Sequence, residues 1–522
     1  SGKTTLAKDI AKLNNCQRVE LDYIIGYNLK DNKRHKPQSY YYNELKKYGT
    51  QTAIIDMNGN QMTYKEMDLC CHQFGERLES RKLVFSFCEN SIGSICGYVA
   101  FLYNRVVPVL LDKHIDRELR KNLISIYQPD YIYVPNEIAK EIEQDNLELV
   151  CIYNNYGYCL YKTSFHYQHN LYNELALLLT TSGSTGSPKL VRQSYKNIQA
   201  NAESIAEYLQ IDESERPITT LPMNYTYGLS IINSHLLCGA TILVTENTLM
   251  ERSFWEFFRK EQATSFGGVP YTYEILKKLR FFKMNLPSLR YMTQAGGKLA
   301  PVLHKEFAEY AEENGKKFIV MYGQCEATAR MAYLPAEYAV QKYGSMGIAI
   351  PGGRLELIDV NNRKICQPDV VGELVYYGEN VTLGYAECAE DLSLGDERHG
   401  KLETGDMAKR DADGFYYVVG RKKRFLKIYG NRVNLDEAER LVKTFLVERQ
   451  SEGDCACAGV DDKLYVFVTD ASKELDEQVK HFLSKKTGLN QAAFTIKHIE
   501  NIPKNEAGKT LYIKLEEFYD GV

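Results

Sequence analysis

The sequence predicts an α/β fold with a large, multi-layer N-terminal domain that includes a β subdomain, followed by a small α+β C-terminal domain. The chain has 522 residues, which is too long for one compact core. Strand-like and helix-like segments alternate from about residue 40 to about residue 340, which is typical of layered α/β proteins. Short strand-like segments follow from about residue 351, and charge density rises after Gly420. The last segment, about 100 residues long, has the size of a small domain.

We therefore expect three segments: an N-terminal extension at 1–39, a large domain at 40–420 and a C-terminal domain at 421–522. The extension begins with Ser1-Gly2-Lys3-Thr4-Thr5, which resembles the end of a phosphate-binding Walker A loop. The sequence lacks the strand and the first glycine of that motif, and the extension is too short to build a nucleotide kinase. A P-loop kinase is thus a rival interpretation with an incomplete motif.

Composition argues against several classes of function. Hydrophobic residues make up 44% of the chain and charged residues 25%, as in ordinary globular proteins. A formal net charge of -4 provides no basic field, so we expect no nucleic-acid partner. Apolar stretches are too short or too interrupted to span a bilayer, and no secretory signal pattern is present. The thirteen cysteines show no paired C-x-x-C zinc spacing, which predicts reduced thiols in a cytoplasmic protein.

Local patterns predict the individual elements. Asn58-Gly59 between two strand-like segments predicts a β-hairpin, and 67–78 has the pattern of an amphipathic helix. Asn434, followed by acidic residues, predicts the start of a helix. The predicted strands on which the later argument depends are 53–56, 61–64, 175–179, 354–359, 372–377 and 415–419.

The most informative segment follows the apolar strand at 175–179. This segment, 180–189, consists almost entirely of small, hydroxylated and glycine residues and ends in Lys189. Such a loop can direct several backbone N–H groups at one anion, and the lysine adds a point charge for phosphate. Its spacing differs from a Walker A loop, and on its own such a run is also typical of a flexible turn or linker. The candidate phosphate-binding residues are Thr181, Ser182, Gly183, Ser184, Thr185, Gly186 and Lys189.

Together with motifs further along the chain, this loop resembles the phosphate loop of the adenylate-forming superfamily. This superfamily comprises acyl-CoA synthetases, luciferases and the adenylation domains of nonribosomal peptide synthetases. The resemblance covers about residues 40–515, is closest to acyl-CoA synthetases, and implies an N-terminal adenylation domain with a small, mobile C-terminal lid. After the loop, the matching segments are 221–228, 295–299, 322–328, 403–406, 420–430 and 503–510, in the order of the family.

The segment 322–328 matches a motif of the nucleotide site. The resemblance implies that Tyr322, followed by Gly323, stacks near adenine, and that Glu326 helps to hold Mg²⁺. This agrees with the preference of Mg²⁺ for a carboxylate together with phosphate oxygens. Cys325 stands where the family usually has a threonine that contacts the α-phosphate. Because a thiol is a weaker hydrogen-bond donor, we expect activity to survive in weakened form.

Two further segments are expected to contact the nucleotide. By resemblance, the turn containing Gly296 and Gly297 approaches the adenine and the acyl group. Glycines there let a ligand lie against the backbone. Asp406, expected in a tight turn, is implied to accept hydrogen bonds from both ribose hydroxyls. Arg421 is implied to reach the ribose or a phosphate.

The C-terminal motifs imply a hinge and a catalytic lysine. Lys423 occupies the position about which the lid of the family swings between half-reactions. Lys509 matches the lysine that bridges the attacking carboxylate and the α-phosphate, where it stabilises charge in the transition state. We therefore expect Lys509, Glu326 and Lys189 to be catalytic.

The acid substrate is expected to bind near segment 221–228 and near the residues before a predicted helix at 270. Amino-acid-activating members carry an aspartate where Thr226 stands. Burying an ammonium group without a counter-charge costs several kcal/mol, which argues against an amino-acid substrate. The candidate pocket residues are Tyr225, Thr226, Tyr227, Gly228, Val269 and Pro270.

The resemblance implies ATP- and Mg²⁺-dependent activation of a small carboxylic acid through an acyl-adenylate. The acyl group would then pass to a thiol, that of coenzyme A or of the phosphopantetheine arm of a separate acyl carrier protein. Two alternatives stay open. One is a stand-alone enzyme that loads an amino acid onto a carrier protein, and the other is a degenerate member that binds nucleotide without turnover, which Cys325 would favour.

Overall fold

In the computed structural model, the chain divides into two compact units. The first comprises the described residues up to Leu355 together with Tyr376–Leu402 and Asp413–Phe415, and the second comprises Glu356–Val375, Glu403–Ala412 and the described residues from Tyr416 onward. The predicted extension at 1–39 lies outside the described residues. These are 40–143, 147–165, 167, 169–180, 189–428, 431–451, 453–460, 462–469, 474–487, 489–504 and 510–519.

Helices and strands alternate through the first unit, as the sequence predicts. The helices of the first unit are α1 (Tyr64–Gly75), α2 (Ile92–Tyr103), α3 (Arg117–Tyr127), α4 (Asn136–Glu143), α5 (Tyr195–Leu209), α6 (Thr226–Leu237), α7 (Arg252–Lys260), α8 (Pro270–Lys278) and α9 (Pro301–Glu313). Those of the second unit are α10 (Leu435–Glu448) and α11 (Glu474–Thr487).

The strands of the first unit lie mostly before residue 350. They are β1 (Thr52–Asp56), β2 (Gln61–Thr63), β3 (Leu83–Cys88), β4 (Val107–Asp112), β5 (Tyr131–Pro135), β6 (Leu149–Asn155), β7 (Tyr158–Thr163), β8 (Leu175–Thr180), β9 (Leu190–Ser194), β10 (Pro217–Ile218), β11 (Ile242–Val244), β12 (Ser265–Gly268), β13 (Tyr291–Gln294), β14 (Lys317–Tyr322), β15 (Ala332–Tyr333) and β16 (Ile348–Ala349).

The later strands are β17 (Gly353–Ile358), β18 (Gly372–Gly378), β19 (Gly384–Ala386), β20 (Lys401–Arg410), β21 (Tyr416–Arg421), β22 (Phe425–Ile428), β23 (Asn431–Asn434), β24 (Cys455–Val460), β25 (Lys463–Val468) and β26 (Phe494–His498). Of these, β17, β18 and β21 correspond to strands predicted from the sequence, and the others are not among the predicted strands.

Two large sheets form the body of the first unit. One has nine strands in the order β16-β15-β14-β13-β12-β10-β11-β1-β2, and the other has eight in the order β19-β9-β8-β4-β3-β5-β7-β6. Their central strands run parallel, as expected for strands joined by helices. The predicted hairpin at Asn58-Gly59 is confirmed by the antiparallel pair β1 and β2.

The helices that pack on these sheets are stabilised by burial of their apolar side chains. Helix α2 is apolar on every side and buried along nearly its whole length. Helix α1 begins at Tyr64 rather than at the predicted residue 67, because Thr63 and Glu66 form a capping box in front of it. Side chains such as Ile54, Val84 and Phe101 belong to one core that joins strands of both sheets with α2.

The predicted β subdomain is a four-stranded sheet in the order β17-β18-β20-β21. The prediction of a tight turn at 403–406 is wrong, since these residues lie within strand β20. Gly405 has a φ of 69°, a left-handed conformation that glycine adopts without a steric penalty.

The C-terminal part of the second unit combines helices α10 and α11 with the three-stranded sheet β24-β25-β26. Helix α10 starts as predicted, because the Asn434 side chain accepts a hydrogen bond from the Asp436 backbone N–H at 2.9 Å. Among all the described residues of the chain, no helix has the length and apolar composition needed to cross a membrane.

Candidate active site

The site lies where parallel strands of the nine-stranded sheet end. Gly268 at the end of β12 pairs with Gln294 at the end of β13, and Gln294 pairs with Val320 near the end of β14. The residues that follow these strands therefore share one edge, where open α/β sheets bind their ligands. This edge brings together three of the motifs found in the sequence.

The glycine-rich turn after β13 is enclosed by predicted pocket residues. Gly296 has a φ of 82°, and a Cβ there would lie 2.6 Å from the Tyr225 hydroxyl oxygen and 3.0 Å from Val269 Cγ1. A Cβ on Gly297 would lie 3.1 Å from Pro270 Cγ. The turn therefore requires glycine, and these residues form one wall around it.

Helix α6 connects this wall to the motif that contains Glu326. Tyr225 precedes its first turn, and the Thr226 hydroxyl donates a hydrogen bond to Cys325 Sγ at 3.0 Å. A Cβ on Gly228 would overlap the Pro222 carbonyl oxygen, so only glycine lets the helix pack this closely on the preceding loop. Burial raises the pKa of Tyr225, with a smaller contribution from Cys325, so that this phenol stays neutral.

Tyr227 points into the interior from the same helix. Its hydroxyl lies 2.8 Å from the Thr293 hydroxyl, and burial raises its pKa to about 12. It therefore acts as a neutral hydrogen-bonding group beside Tyr225, with the two ring centroids 6.4 Å apart.

Glu326 and Lys189 both contact Tyr385. The Tyr385 hydroxyl donates a hydrogen bond to Glu326 Oε1 at 2.6 Å, and Lys189 Nζ lies 3.9 Å from the centroid of the Tyr385 ring. Lys189 Nζ also lies 3.5 Å from Glu387 Oε1. The antiparallel pairing of β9 with β19 causes this convergence, because it places Leu190 opposite Ala386.

Arg398 supports the same cluster. Its guanidinium carbon lies 4.6 Å from the centroid of the Tyr385 ring, and Nη1 donates to the Glu326 backbone oxygen at 3.1 Å. Burial, and then the hydrogen bond to Glu326, raise the pKa of Tyr385 to about 12, so the phenol stays a donor at neutral pH. Sequence reasoning missed both Tyr385 and Arg398, and the only local signal is the Gly384-Tyr385 pair at the start of β19.

The loop after β14 is tightly folded. A Cβ on Gly323 would overlap the Ala329 carbonyl oxygen, and the Met331 N–H donates to the Tyr322 carbonyl at 2.9 Å. Thr328 and Ala329 have positive φ values of 53° and 99°. Such conformations are costly for residues with side chains and are common at functional sites.

The second unit places Asp406 and Arg421 next to each other. They are paired across β20 and β21, with Arg421 Nε 3.8 Å from Asp406 Oδ1. The Asp406 side chain is 11% exposed and that of Arg421 is 71% exposed, so the arginine is accessible to a ligand. The basic run after Gly420 is not uniformly solvated, since Arg424 is buried, forms an ion pair with Asp436 and donates to the Cys457 carbonyl at 2.8 Å.

Several predicted site residues cannot be placed. Lys509 and the loop residues Thr181, Ser182, Gly183, Ser184, Thr185 and Gly186 lie outside the described residues. Strand β8 ends at Thr180, immediately before that loop. Lys423 lies in the short 3-10 turn Lys422–Arg424, and its side chain is likewise outside the described set.

Comparison with known proteins identifies the family. The model of the family described as AMP-binding enzyme matches residues 42–386. The chain is 29% identical to an oxalate–CoA ligase of Arabidopsis thaliana over 350 residues, which cover 64% of this chain and 65% of that protein. It is 24% identical to a 2-succinylbenzoate–CoA ligase of Bacillus cereus over 485 residues, or 90% of this chain and 96% of that protein.

The fold class is confirmed by solved structures. The O-succinylbenzoate coenzyme A synthetase of Bacillus subtilis in complex with AMP superposes with a TM-score of 0.73 at 19% identity, covering 92% of this chain and 98% of that chain. The matched family model covers most of the first unit and contains Lys189, Glu326 and Tyr385. The chain belongs to the AMP-binding enzyme family, as its motifs predict.

Proposed function

We propose that the protein is an AMP-forming acid–thiol ligase that resembles acyl-CoA synthetases. It activates a small carboxylic acid with MgATP and transfers the acyl group to the thiol of coenzyme A. The observation that carries the proposal is one continuous cluster in the first unit. It runs from the Gly296 turn through Tyr225 and Thr226 to Cys325, and from Glu326 through Tyr385 to Lys189.

The chemical character of this cluster fits a magnesium nucleotide. Glu326 offers a carboxylate, and Lys189 offers a positive charge over the Tyr385 ring. Mg²⁺ is usually held by one or two carboxylates together with phosphate oxygens, so a single carboxylate is sufficient. When bound, the metal neutralises negative charge on the phosphates.

Two displacements account for the overall reaction. An oxygen of the substrate carboxylate attacks the α-phosphorus of ATP, and the bond to pyrophosphate breaks, which leaves acyl-AMP. The thiolate sulfur of the acceptor then attacks the acyl carbon, the bond to AMP breaks, and the thiol proton passes to solvent. The nucleophiles belong to the substrates, so the protein contributes positioning and electrostatics.

The roles of individual residues follow from this scheme as proposals. Lys189 binds phosphate, Tyr385 orients Glu326, and the loop at 181–186 surrounds the phosphates. Asp406 and Arg421 bind the ribose. Lys509 bridges the attacking carboxylate and the α-phosphate, and Lys423 is the hinge between a domain at 40–420 and a lid at 421–522.

Coenzyme A is the acceptor that the comparisons favour, because the relatives in question are named CoA ligases. The phosphopantetheine of a separate carrier protein is the alternative acceptor. An amino-acid substrate is disfavoured, because the Thr226 hydroxyl contacts the Cys325 thiol and no carboxylate of the described residues lies within hydrogen-bond distance of it.

The test is pyrophosphate release with ATP, Mg²⁺ and a panel of fatty, aryl, amino and short dicarboxylic acids, each with and without coenzyme A. Acid-dependent release that is completed by formation of a coenzyme A thioester is the expected result. Release that does not depend on coenzyme A would indicate that a carrier protein accepts the acyl group in the second half-reaction. Absence of release with every acid would contradict the proposed activity and favour the degenerate binder.

Replacement of Tyr385 by phenylalanine should raise the KM for MgATP about tenfold and lower kcat less. The variant removes a hydrogen bond to a charged carboxylate, an interaction worth about 1.5–3 kcal/mol, while the ring stays beside Lys189. Steady-state pyrophosphate release at varied MgATP measures the change. Tyr271→Phe is the matched control, since Tyr271 is 58% exposed on α8. Equal KM values for the two variants would refute the positioning role of Tyr385.

A further inference from the structure

One arginine in the interior of the first unit has only neutral partners. Arg330 is 2% exposed, its Nε donates to the Ser230 hydroxyl at 3.2 Å, and its Nη1 donates to the Tyr208 hydroxyl at 2.9 Å. No carboxylate of the described residues forms an ion pair with it. A buried guanidinium without a counter-charge costs several kcal/mol, so its retention calls for an explanation.

The groups that pack around Arg330 do not supply a negative charge either. Its guanidinium carbon lies 5.0 Å from the centroid of the Tyr227 ring, and Nη1 lies 3.1 Å from Met321 Sδ. Burial, with a smaller effect of Arg330, lowers the pKa of His235 to about 4, so this histidine is neutral at pH 7. Burial raises the pKa of Tyr208, which is therefore neutral as well.

The position of Arg330 connects it to the acid pocket. Its partner Ser230 lies one helical turn after Thr226 on α6, and residues four apart share one face of a helix. Four residues correspond to about 6 Å along the helix axis. Thr226 contacts Cys325, which precedes Glu326, so Ser230 and its partner Arg330 lie about one helical turn from the place where the reacting carboxylate is proposed to bind.

Tyr227 also links the predicted acid pocket to Arg330 through its own contacts. Its ring faces Arg330, and its hydroxyl bonds Thr293, the second residue before Ala295 and the glycine turn. A Cβ on Gly267 would lie 3.0 Å from the Tyr227 hydroxyl oxygen. The wall around Gly296 and the guanidinium of Arg330 are thus two ends of one set of packed residues.

We propose that Arg330 binds a second carboxylate of the substrate at the inner end of the acid pocket, which makes the substrate a short dicarboxylic acid. The inference rests on the proposed function, in which the other carboxylate reacts near Cys325 and Glu326. A guanidinium matches a carboxylate with two parallel hydrogen bonds, and the pair is strong where water is excluded. The bound substrate supplies the missing counter-charge.

The test compares matched acids with the wild-type protein and with Arg330→Met. Succinate is paired with butanoate and glutarate with pentanoate, and kcat/KM for acid-dependent pyrophosphate release is measured for each. We expect the wild type to favour one dicarboxylate over its matched monocarboxylate by about 100-fold. Arg330→Met should remove most of that ratio, and Arg330→Lys, which keeps the charge without the planar fork, should retain an intermediate ratio.

Two controls separate binding from folding. Arg252→Met changes an arginine whose side chain is 92% exposed and should leave the ratio intact. Thermal unfolding should show Arg330→Met to be at least as stable as the wild type, because it removes an uncompensated buried charge. A variant that unfolds at lower temperature and loses activity on both acids of a pair equally would assign Arg330 a structural role and overturn the inference.

The inference and the proposed activity fail in different ways. A wild-type protein that activates monocarboxylates at least as well as dicarboxylates, with an unchanged ratio in Arg330→Met, overturns the inference and leaves acid activation intact. If no acid causes pyrophosphate release, the proposed activity fails. Calorimetric titration with succinate and glutarate then decides the inference: binding to the wild type that Arg330→Met loses supports it, and equal or absent binding overturns it.

Discussion

Replacement of Glu326 by glutamine is expected to lower acid-dependent pyrophosphate release by about 100- to 1000-fold. The amide keeps an oxygen that accepts the hydrogen bond of the Tyr385 hydroxyl, so the local packing is preserved. It removes the negative charge that we propose for Mg²⁺ binding, and Mg²⁺ strongly prefers carboxylates. The loss should therefore fall on catalysis and not on folding.

The measurement is the rate of pyrophosphate release as a function of Mg²⁺ concentration, together with a thermal unfolding curve. Glu337→Gln is the matched control, because Glu337 is an exposed glutamate of the same unit, in the 3-10 turn Ala336–Tyr338. A Glu326→Gln protein with the rate and the Mg²⁺ dependence of the control would refute the role of Glu326.

Replacement of Gly323 by alanine is expected to destabilise the first unit by about 3 kcal/mol. The added Cβ would overlap the Ala329 carbonyl oxygen, which belongs to the backbone and cannot rotate away. The loop could relax only by displacing Tyr322 or the residues before Arg330. Activity should fall together with stability, because the same loop carries Glu326.

Gly315→Ala separates this clash from the general cost of losing a glycine. Gly315 has a φ of 62° and nothing lies within 4 Å of a Cβ placed there, so only the backbone cost of about 1–2 kcal/mol is expected. Urea unfolding of both variants gives the two free energies of unfolding. If the free energy of unfolding of Gly323→Ala is no lower than that of Gly315→Ala, the loop accommodates the added Cβ without strain and the prediction is refuted.

Much of the fold was predictable because the local signals were strong. Asn58-Gly59 predicted the hairpin of β1 and β2, and the apolar run at 175–179 predicted β8. Boundaries were less accurate where side-chain caps decide them, as at the start of α1. The segment 403–406 reads as a turn but lies within β20, because the position of β20 between β18 and β21 in the four-stranded sheet overrides the local preference of a glycine.

The candidate site was only partly predictable. The glycine turn, the loop from Tyr322 to Glu326 and the pair Asp406 and Arg421 were found from motifs, and the structure brings the residues within each part together. Tyr385 and Arg398 were missed, since each is separated from Glu326 by more than fifty residues. The roles of Lys509, Lys423 and the loop at 181–186, and the domain boundary at 420, stay predictions.

The sequence by itself determined the family, because a series of short motifs in a set order identifies the AMP-binding enzymes even when each motif alone is weak. It also predicted which residue types surround the reacting groups. Only the tertiary structure decided which charges are compensated. Arg424 pairs with Asp436, whereas Arg330 is enclosed by Tyr208, Ser230 and Met321. Burial and counter-charges depend on chain segments far apart in sequence, and no local pattern encodes them.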